Sequence, residues 1–149
     1  MTKIRVTKEF HFEMAHALKN YDGLCKNIHG HSYKLNVTLI GSPINDSSDP
    51  KNGMVVDFSD IKKWVRERIV NEFDHSLLIF SETDANELQK VSEMFSRLKI
   101  LDFQPTCENL LIYMAEIIKN QLPENISLHS LKLRETESSY AEWYANDNL

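Results

Sequence analysis

The sequence predicts an α+β fold: a four-stranded antiparallel sheet with helices packed on one face. Three observations predict it. Two segments of period two open the chain, stripes at helical spacing fill its middle, and two more extended segments close it. Strands and helices grouped in separate runs belong to this class rather than to alternating βαβ units. At 149 residues the chain is long enough for one domain with its own core. No internal repeat or low-complexity stretch divides it, so residues 1–149 are expected to form a single domain.

The first strand is expected over Ile4–His16. Ile4, Val6, Phe10, Phe12 and Met14 fall on even positions, with Arg5, Thr7, Glu9, His11 and Glu13 between them. That alternation marks a half-buried strand, and only Lys8 breaks the phase. In the second strand Tyr33, Leu35, Val37 and Leu39 share one face, opposite Ser32, Lys34, Asn36 and Thr38. The segment "GSPINDSSDPKNG" (41–53) is rich in turn formers and reads as a loop. A helix follows over about 58–73, with Phe58, Ile61, Val65 and Ile69 at helical spacing and Asp57 or Ser59 as its cap. A second helix is expected over 84–98, carrying Leu88, Val91, Phe95 and Leu98 on one side. Thr106 caps a third, whose stripe is Leu110, Leu111, Met114, Ile117 and Ile118 and which Pro123 ends. Closing strands at roughly 127–137 and 139–145 meet at Ser138.

Composition narrows the function classes. The net charge of −5 gives no reason to expect a nucleic-acid partner. No apolar run approaches membrane-spanning length, and "MTKIRVTKEF" lacks the apolar core of a signal peptide. A cytoplasmic protein is expected, with Cys25 and Cys107 both reduced.

Strand phase sorts the six histidines. His16 continues the apolar face of the first strand, and His29 and His31 continue that of the second, because residues i and i+2 point the same way. Three imidazoles thus face inward from adjacent stretches, beside a glycine that permits close approach. Three separate core histidines would satisfy the pattern, but matching phase favours a metal. Catalytic zinc commonly takes three protein ligands and keeps a fourth position open. His11 points to the polar face. His129 lies about 20 Å from Glu135 along its strand, at roughly 3.3 Å per residue, too far to join that end of the sheet.

Cys25, in "CKNIHGH", has three readings: a fourth zinc ligand, a buried small residue, or a thiolate base or nucleophile activated by a neighbouring cation or histidine. In "FDHSLL", Asp74 and His75 follow the first helix where the chain returns to the sheet. An Asp that orients a His would complete a Cys–His–Asp relay, although such a pair also serves as a helix end. Glu135 occupies the apolar phase after Leu131 and Leu133, where an ionised carboxylate needs a partner. It is either a frayed strand end or the acceptor for paired N–H groups of a planar heterocycle. Glu108 could act similarly, but an acid in a helix's first turn is also explained by the macrodipole.

Taken in order, "FHFEMAH", "C-x3-HGH", "GMVVDF", "DHSLL", "PTCEN" and "RETESSYAEWY" resemble the 6-pyruvoyl-tetrahydropterin synthase / 6-carboxy-tetrahydropterin synthase family. The motifs run from residue 10 to 144 and cover nearly the whole chain. The resemblance implies that His16, His29 and His31 hold Zn2+, that Cys25, Asp74 and His75 transfer protons, and that Glu135 anchors a pterin ring. It further implies a tunnelling fold, in which subunits close an oligomeric barrel and two trimers stack as a homohexamer. Glu108 would then serve a neighbouring subunit's pocket. The short C-x3-H spacing and the "RETESSYAEWY" ending are similar to the carboxy branch of 7-deazapurine (queuosine) synthesis. That branch converts 7,8-dihydroneopterin triphosphate to 6-carboxy-tetrahydropterin, acetaldehyde and triphosphate. The pyruvoyl-forming reaction and a non-catalytic zinc or pterin binder are the alternatives. Cys107 stands where the family more often has Ser or Ala, and residues 80–103 form a longer stretch than in compact members.

Overall fold

The computed structural model describes residues 1–149. The expected long strands form: β1 spans Ile4–His16 and β2 spans His29–Gly41. They pair antiparallel along their full length, with Phe12 opposite Tyr33, Met14 opposite His31 and His16 opposite His29. Their inward phase buries Phe10, Phe12, Met14, Tyr33, Leu35, Val37 and Leu39, while Ile4 at the far end stays exposed. Lys8, out of phase in the sequence, lays its ammonium 5.9 Å from the Phe58 ring centroid, a cation–π contact.

The closing strands also form, slightly shorter than expected, as β5 (Ile126–Arg134) and β6 (Tyr140–Tyr144). The strand count is the main correction. The sheet has six strands in the order β4-β3-β1-β2-β5-β6. The extra pair, β3 (Ser76–Phe80) and β4 (Leu98–Leu101), runs parallel to each other, and β3 runs parallel to β1. The sheet is therefore mixed rather than wholly antiparallel. Short apolar runs such as "SLLIF" and "LKIL" carry too few residues for periodicity to separate strand from helix.

That ambiguity also explains the second helix. It is α3, Ala85–Met94, capped by Asp84, and none of its residues is buried. Phe95 is extended and Leu98 opens β4, so half of the expected stripe belongs to the connection and the strand. The first helix forms but is not uniform. α1 (Phe58–Val65) passes through a π-helical turn, Arg66–Val70, into α2 (Asn71–Phe73). Its buried residues Ile61, Val65, Ile69 and Phe73 recur every fourth position. Each such step overshoots an α-helical turn by about 40°, and the wider π turn takes that drift back. Asp57 is the cap, accepting from Ser59 N at 2.8 Å, and Phe58 is half exposed instead of core.

The third expected helix is α4, Cys107–Lys119, with Thr106 accepting from Asn109 N. α1 and α4 cover the inward face, and Leu110, Leu111, Met114, Ala115 and Ile118 pack against Leu131, Leu133 and Trp143 in one core. No helix is long and apolar enough to cross a membrane.

Candidate metal centre and acid–base pair

The three inward histidines meet at one end of β1 and β2. Their ligand nitrogens all lie within 4.8 Å of one another. Main-chain carbonyls fix two of the rings. His16 Nδ1 donates to Pro105 O at 2.7 Å, and His29 Nδ1 donates to Asn27 O at 2.8 Å. A carbonyl only accepts, so each Nδ1 carries the proton and each Nε2 presents a lone pair. Those two Nε2 atoms stand 3.1 Å apart. Facing lone pairs at that distance need a cation between them, either a proton or a metal. His31 Nε2 is buried without a hydrogen-bond partner. Burial, reinforced by His16 and His29, holds His31 below the ordinary imidazole pKa, although Glu135 opposes this. A neutral, unpartnered nitrogen beside two carbonyl-oriented ones fits a three-histidine zinc site.

Glu135 sits at the same place, just beyond the Lys34–Arg134 pair that ends the β2–β5 register. Its Oε1 accepts from Tyr33 Oη at 3.2 Å and lies 3.2 Å from Nε2 of both His16 and His31. His31 gains no aligned hydrogen bond from this contact, and the lone pairs of the carboxylate and of the two Nε2 atoms converge where a cation would balance them. The His16 contact above all holds the Glu135 carboxyl below the usual carboxylate range, against the effect of its burial. The neighbouring Tyr33 hydroxyl is pushed up, by burial first and by Glu135 second. It stays protonated and donates.

Asp74 and His75 form a contact pair, Oδ1 to Nδ1 at 3.0 Å. Glu13 of β1 clamps them with both of its backbone groups: its N donates to Asp74 Oδ1 at 2.9 Å, and its O accepts from His75 N at 2.6 Å. The Glu13 amide, foremost, keeps Asp74 below the usual carboxylate range, and His75 adds to this against burial. His75 has φ 59°, one of two non-glycine residues with positive φ, and its side chain is 73% exposed. A cavity of about 630 Å³ joins His75 to His31, with Ser32, Ile28, Phe95 and Arg97 also on its wall. That volume is within the usual range for small-molecule sites.

Two expected site residues form no hydrogen bond or ion pair with the histidines or with the Asp74–His75 pair. Cys25, half-buried in the 3-10 turn Leu24–Lys26, has no hydrogen bond to Asp74 or His75 and lies outside the histidine group. Within one chain, then, the acid–base pair assembles but the three-residue relay does not. Glu108 is exposed in the first turn of α4. His11 pairs with Glu9 on the surface, and His129 packs on Tyr144. Sequence reasoning missed the Pro105 and Asn27 carbonyls, Tyr33 and the Glu13 backbone. Main-chain acceptors leave no side-chain signature, but the proline in "PTCEN" was a visible flag.

A family model described as 6-pyruvoyl tetrahydropterin synthase matches residues 5–146. The chain belongs to that family. Among its relatives, a Haemophilus influenzae protein named 6-carboxy-5,6,7,8-tetrahydropterin synthase is 35% identical over 142 residues, covering 93% of this chain and 97% of that one. A protein of the same name from Aquifex aeolicus is 31% identical, covering 95% and 98%. Among solved structures, the Caenorhabditis elegans 6-pyruvoyl tetrahydropterin synthase superposes with a TM-score of 0.67 at 27% identity, covering 97% of each chain. An uncharacterized Wolinella succinogenes protein superposes with a TM-score of 0.75 at 20% identity, covering 97% and 99%. The tunnelling-type fold expected of the family is thus the fold of this chain.

Proposed function

We propose that this member of the 6-pyruvoyl tetrahydropterin synthase family is a zinc-dependent 6-carboxy-5,6,7,8-tetrahydropterin synthase of the queuosine (7-deazapurine) route, acting as one domain over residues 1–149. Its substrate would be 7,8-dihydroneopterin triphosphate and its products 6-carboxy-tetrahydropterin, acetaldehyde and triphosphate. The observation that carries this reading is the convergence of His16, His29 and His31, with two Nδ1 atoms tied to carbonyls and His31 Nε2 unpartnered. The names of its relatives, at 31–35% identity over most of the chain, favour the carboxy-forming reaction over the pyruvoyl-forming one.

His16, His29 and His31 would hold the metal. Bound zinc supplies Lewis acidity, lowering the pKa of substrate side-chain oxygens and steadying an oxyanion. Cys25, as thiolate, removes a proton from the substrate's side-chain carbon or hydroxyl. His75 carries and returns protons at Nε2, because its Nδ1 is engaged by Asp74, which stabilises the imidazolium. Glu135 accepts paired N–H groups of the pterin ring. Assembly is part of this proposal. The terminal strands β4 and β6 leave two sheet edges open, and closure between subunits removes such edges. A homohexamer with sites between subunits would bring Cys25 and Glu108 to pockets with which they form no hydrogen bond in the isolated chain.

Product analysis with 7,8-dihydroneopterin triphosphate tests the reading. Acetaldehyde and 6-carboxy-tetrahydropterin are expected. A pyruvoyl pterin would assign the alternative synthase reaction, and no turnover with pterin still bound would make the chain a binder. The Asp74–His75 pair argues against a binder, which needs no proton relay.

A further inference from the structure

The turn that carries the acid–base pair is built against the preference of its sequence. Asp74 leaves the helix with ψ 128°, and His75 then adopts φ 59°. The left-handed region is unfavourable for a residue with a Cβ, so the surroundings must hold it there. A helix end also leaves its last carbonyls without intrahelical partners. At α2 two side chains answer them: Ser76 Oγ donates to Phe73 O, and Arg97 takes the other three. Arg97 Nε donates to Asp74 O at 3.1 Å, and its Nη2 donates to Asn71 O at 2.9 Å and Glu72 O at 3.4 Å.

The backbone of Arg97 is anchored at the same point, since its carbonyl accepts from Leu77 N at 2.9 Å. Two residues on, Lys99 reaches Glu72 Oε2 at 2.6 Å and lies 6.0 Å from the Phe73 ring centroid. The far side of the turn is closed by Glu13, as described above. The Asp74–His75 pair therefore sits between β1 on one side and Arg97 on the other. A cation at a helix C-terminus is favourable in itself. Three carbonyls at differing angles, however, call for the planar fork of a guanidinium, which an ammonium cannot reproduce.

We infer that Arg97 is a positioning residue for proton transfer: its guanidinium fixes the Asn71, Glu72 and Asp74 carbonyls and so holds His75 in the left-handed conformation that places it on the cavity shared with His31. The inference rests on the reading of Asp74–His75 as the proton-transfer pair. It also gives the 81–97 excursion a purpose, which is to return the chain to the base of that turn. Arg97 lies on the cavity wall too, so the rival role is direct contact with the substrate's phosphates.

Arg97→Ala and Arg97→Lys in the zinc-loaded protein separate the two roles. Positioning predicts that kcat for dihydroneopterin triphosphate falls about ten- to a hundredfold, the scale of misplaced catalytic groups, with KM and zinc content unchanged. Arg97→Lys should fall nearly as far, because it keeps the charge and loses the fork, and added guanidinium should restore part of the Arg97→Ala loss. Independently of activity, amide exchange at His75 should accelerate by about tenfold or more through local opening, while Leu35 and Val37 stay protected. In a His75→Ala background, Arg97→Ala should cost little more. A raised KM with kcat intact would overturn the inference in favour of phosphate binding, and so would unchanged exchange at His75. Full turnover by His75→Ala would instead sink the proton-transfer reading, and Arg97's catalytic purpose with it.

Discussion

His16 and His29 face each other across the end of the β1–β2 ladder with their Nε2 atoms 3.1 Å apart and each Nδ1 bound to a backbone carbonyl. The carbonyls determine the tautomers, and the tautomers leave two lone pairs aimed at one point. His31 Nε2, buried and unpartnered, supplies the third. An apolar core would have no use for such an arrangement, because it concentrates unpaired acceptors where water is excluded.

Replacing His16, His29 or His31 with Ala should weaken zinc binding by more than about 100-fold, since loss of an outer-shell partner alone typically costs 10–100-fold. His11→Ala and His129→Ala should retain full metal. Metal analysis of the purified variants decides it, and full zinc in His29→Ala would remove the assignment.

The two thiols should behave differently. Cys107 is buried, its Sγ donates to Leu133 O at 3.3 Å, and burial, then Glu135, pushes its pKa up to about 12. Since the thiolate is the reactive form, Cys107 should resist iodoacetamide at pH 8 in the folded protein. Peptide mass spectrometry should find any alkylation on Cys25. Cys25→Ala should keep zinc and assembly yet lose turnover, whereas Cys107→Ala stays active. Loss of metal in Cys25→Ala would make that residue a ligand instead of a base.

Glu135→Gln tests the pterin anchor. Charge-assisted hydrogen bonds contribute about 1.5–3 kcal/mol each, so replacing one acceptor oxygen with a donor should weaken dihydroneopterin binding by at least about tenfold. Zinc should remain bound. Titration calorimetry separates this outcome from its rival: if zinc is lost as well, Glu135, 3.2 Å from two of the histidine nitrogens, belongs to the metal shell.

Asp74 sets a pH dependence whose sign follows from its depressed pKa. The Glu13 amide, chiefly, holds the folded carboxyl below its ordinary value of 3.8. Its contribution to stability is therefore fully present above that value and is lost as pH falls through the folded pKa. At 39% exposure the effect is reduced by solvent screening. The difference in Tm between wild type and Asp74→Asn should shrink as pH falls below about 4. A difference that persisted unchanged to about pH 2 would mean that the Glu13 clamp on Asp74 does not stabilise the fold.

Local periodicity alone determined β1, β2, β5, β6 and α4, because alternation over many residues and a clear cap leave one solution for which face is buried. It also determined that His16, His29 and His31 point inward, since their phase is set by neighbours such as Met14 and Tyr33, whereas Glu135, just past the end of β5, was left open between a frayed end and an inward carboxylate. Only the tertiary structure decided that β3 and β4 join the sheet. Their short apolar runs fit strand or helix equally well, and pairing of β3 with β1 and of β4 with β3 selected the strand. It likewise decided the tautomers of His16 and His29, which depend on carbonyls at Pro105 and Asn27, and the union of Asp74 and His75 with Glu13 and Arg97. Those contacts join main-chain atoms to residues as many as 89 positions apart, and a backbone carbonyl carries no mark in the sequence of the side chain it will meet.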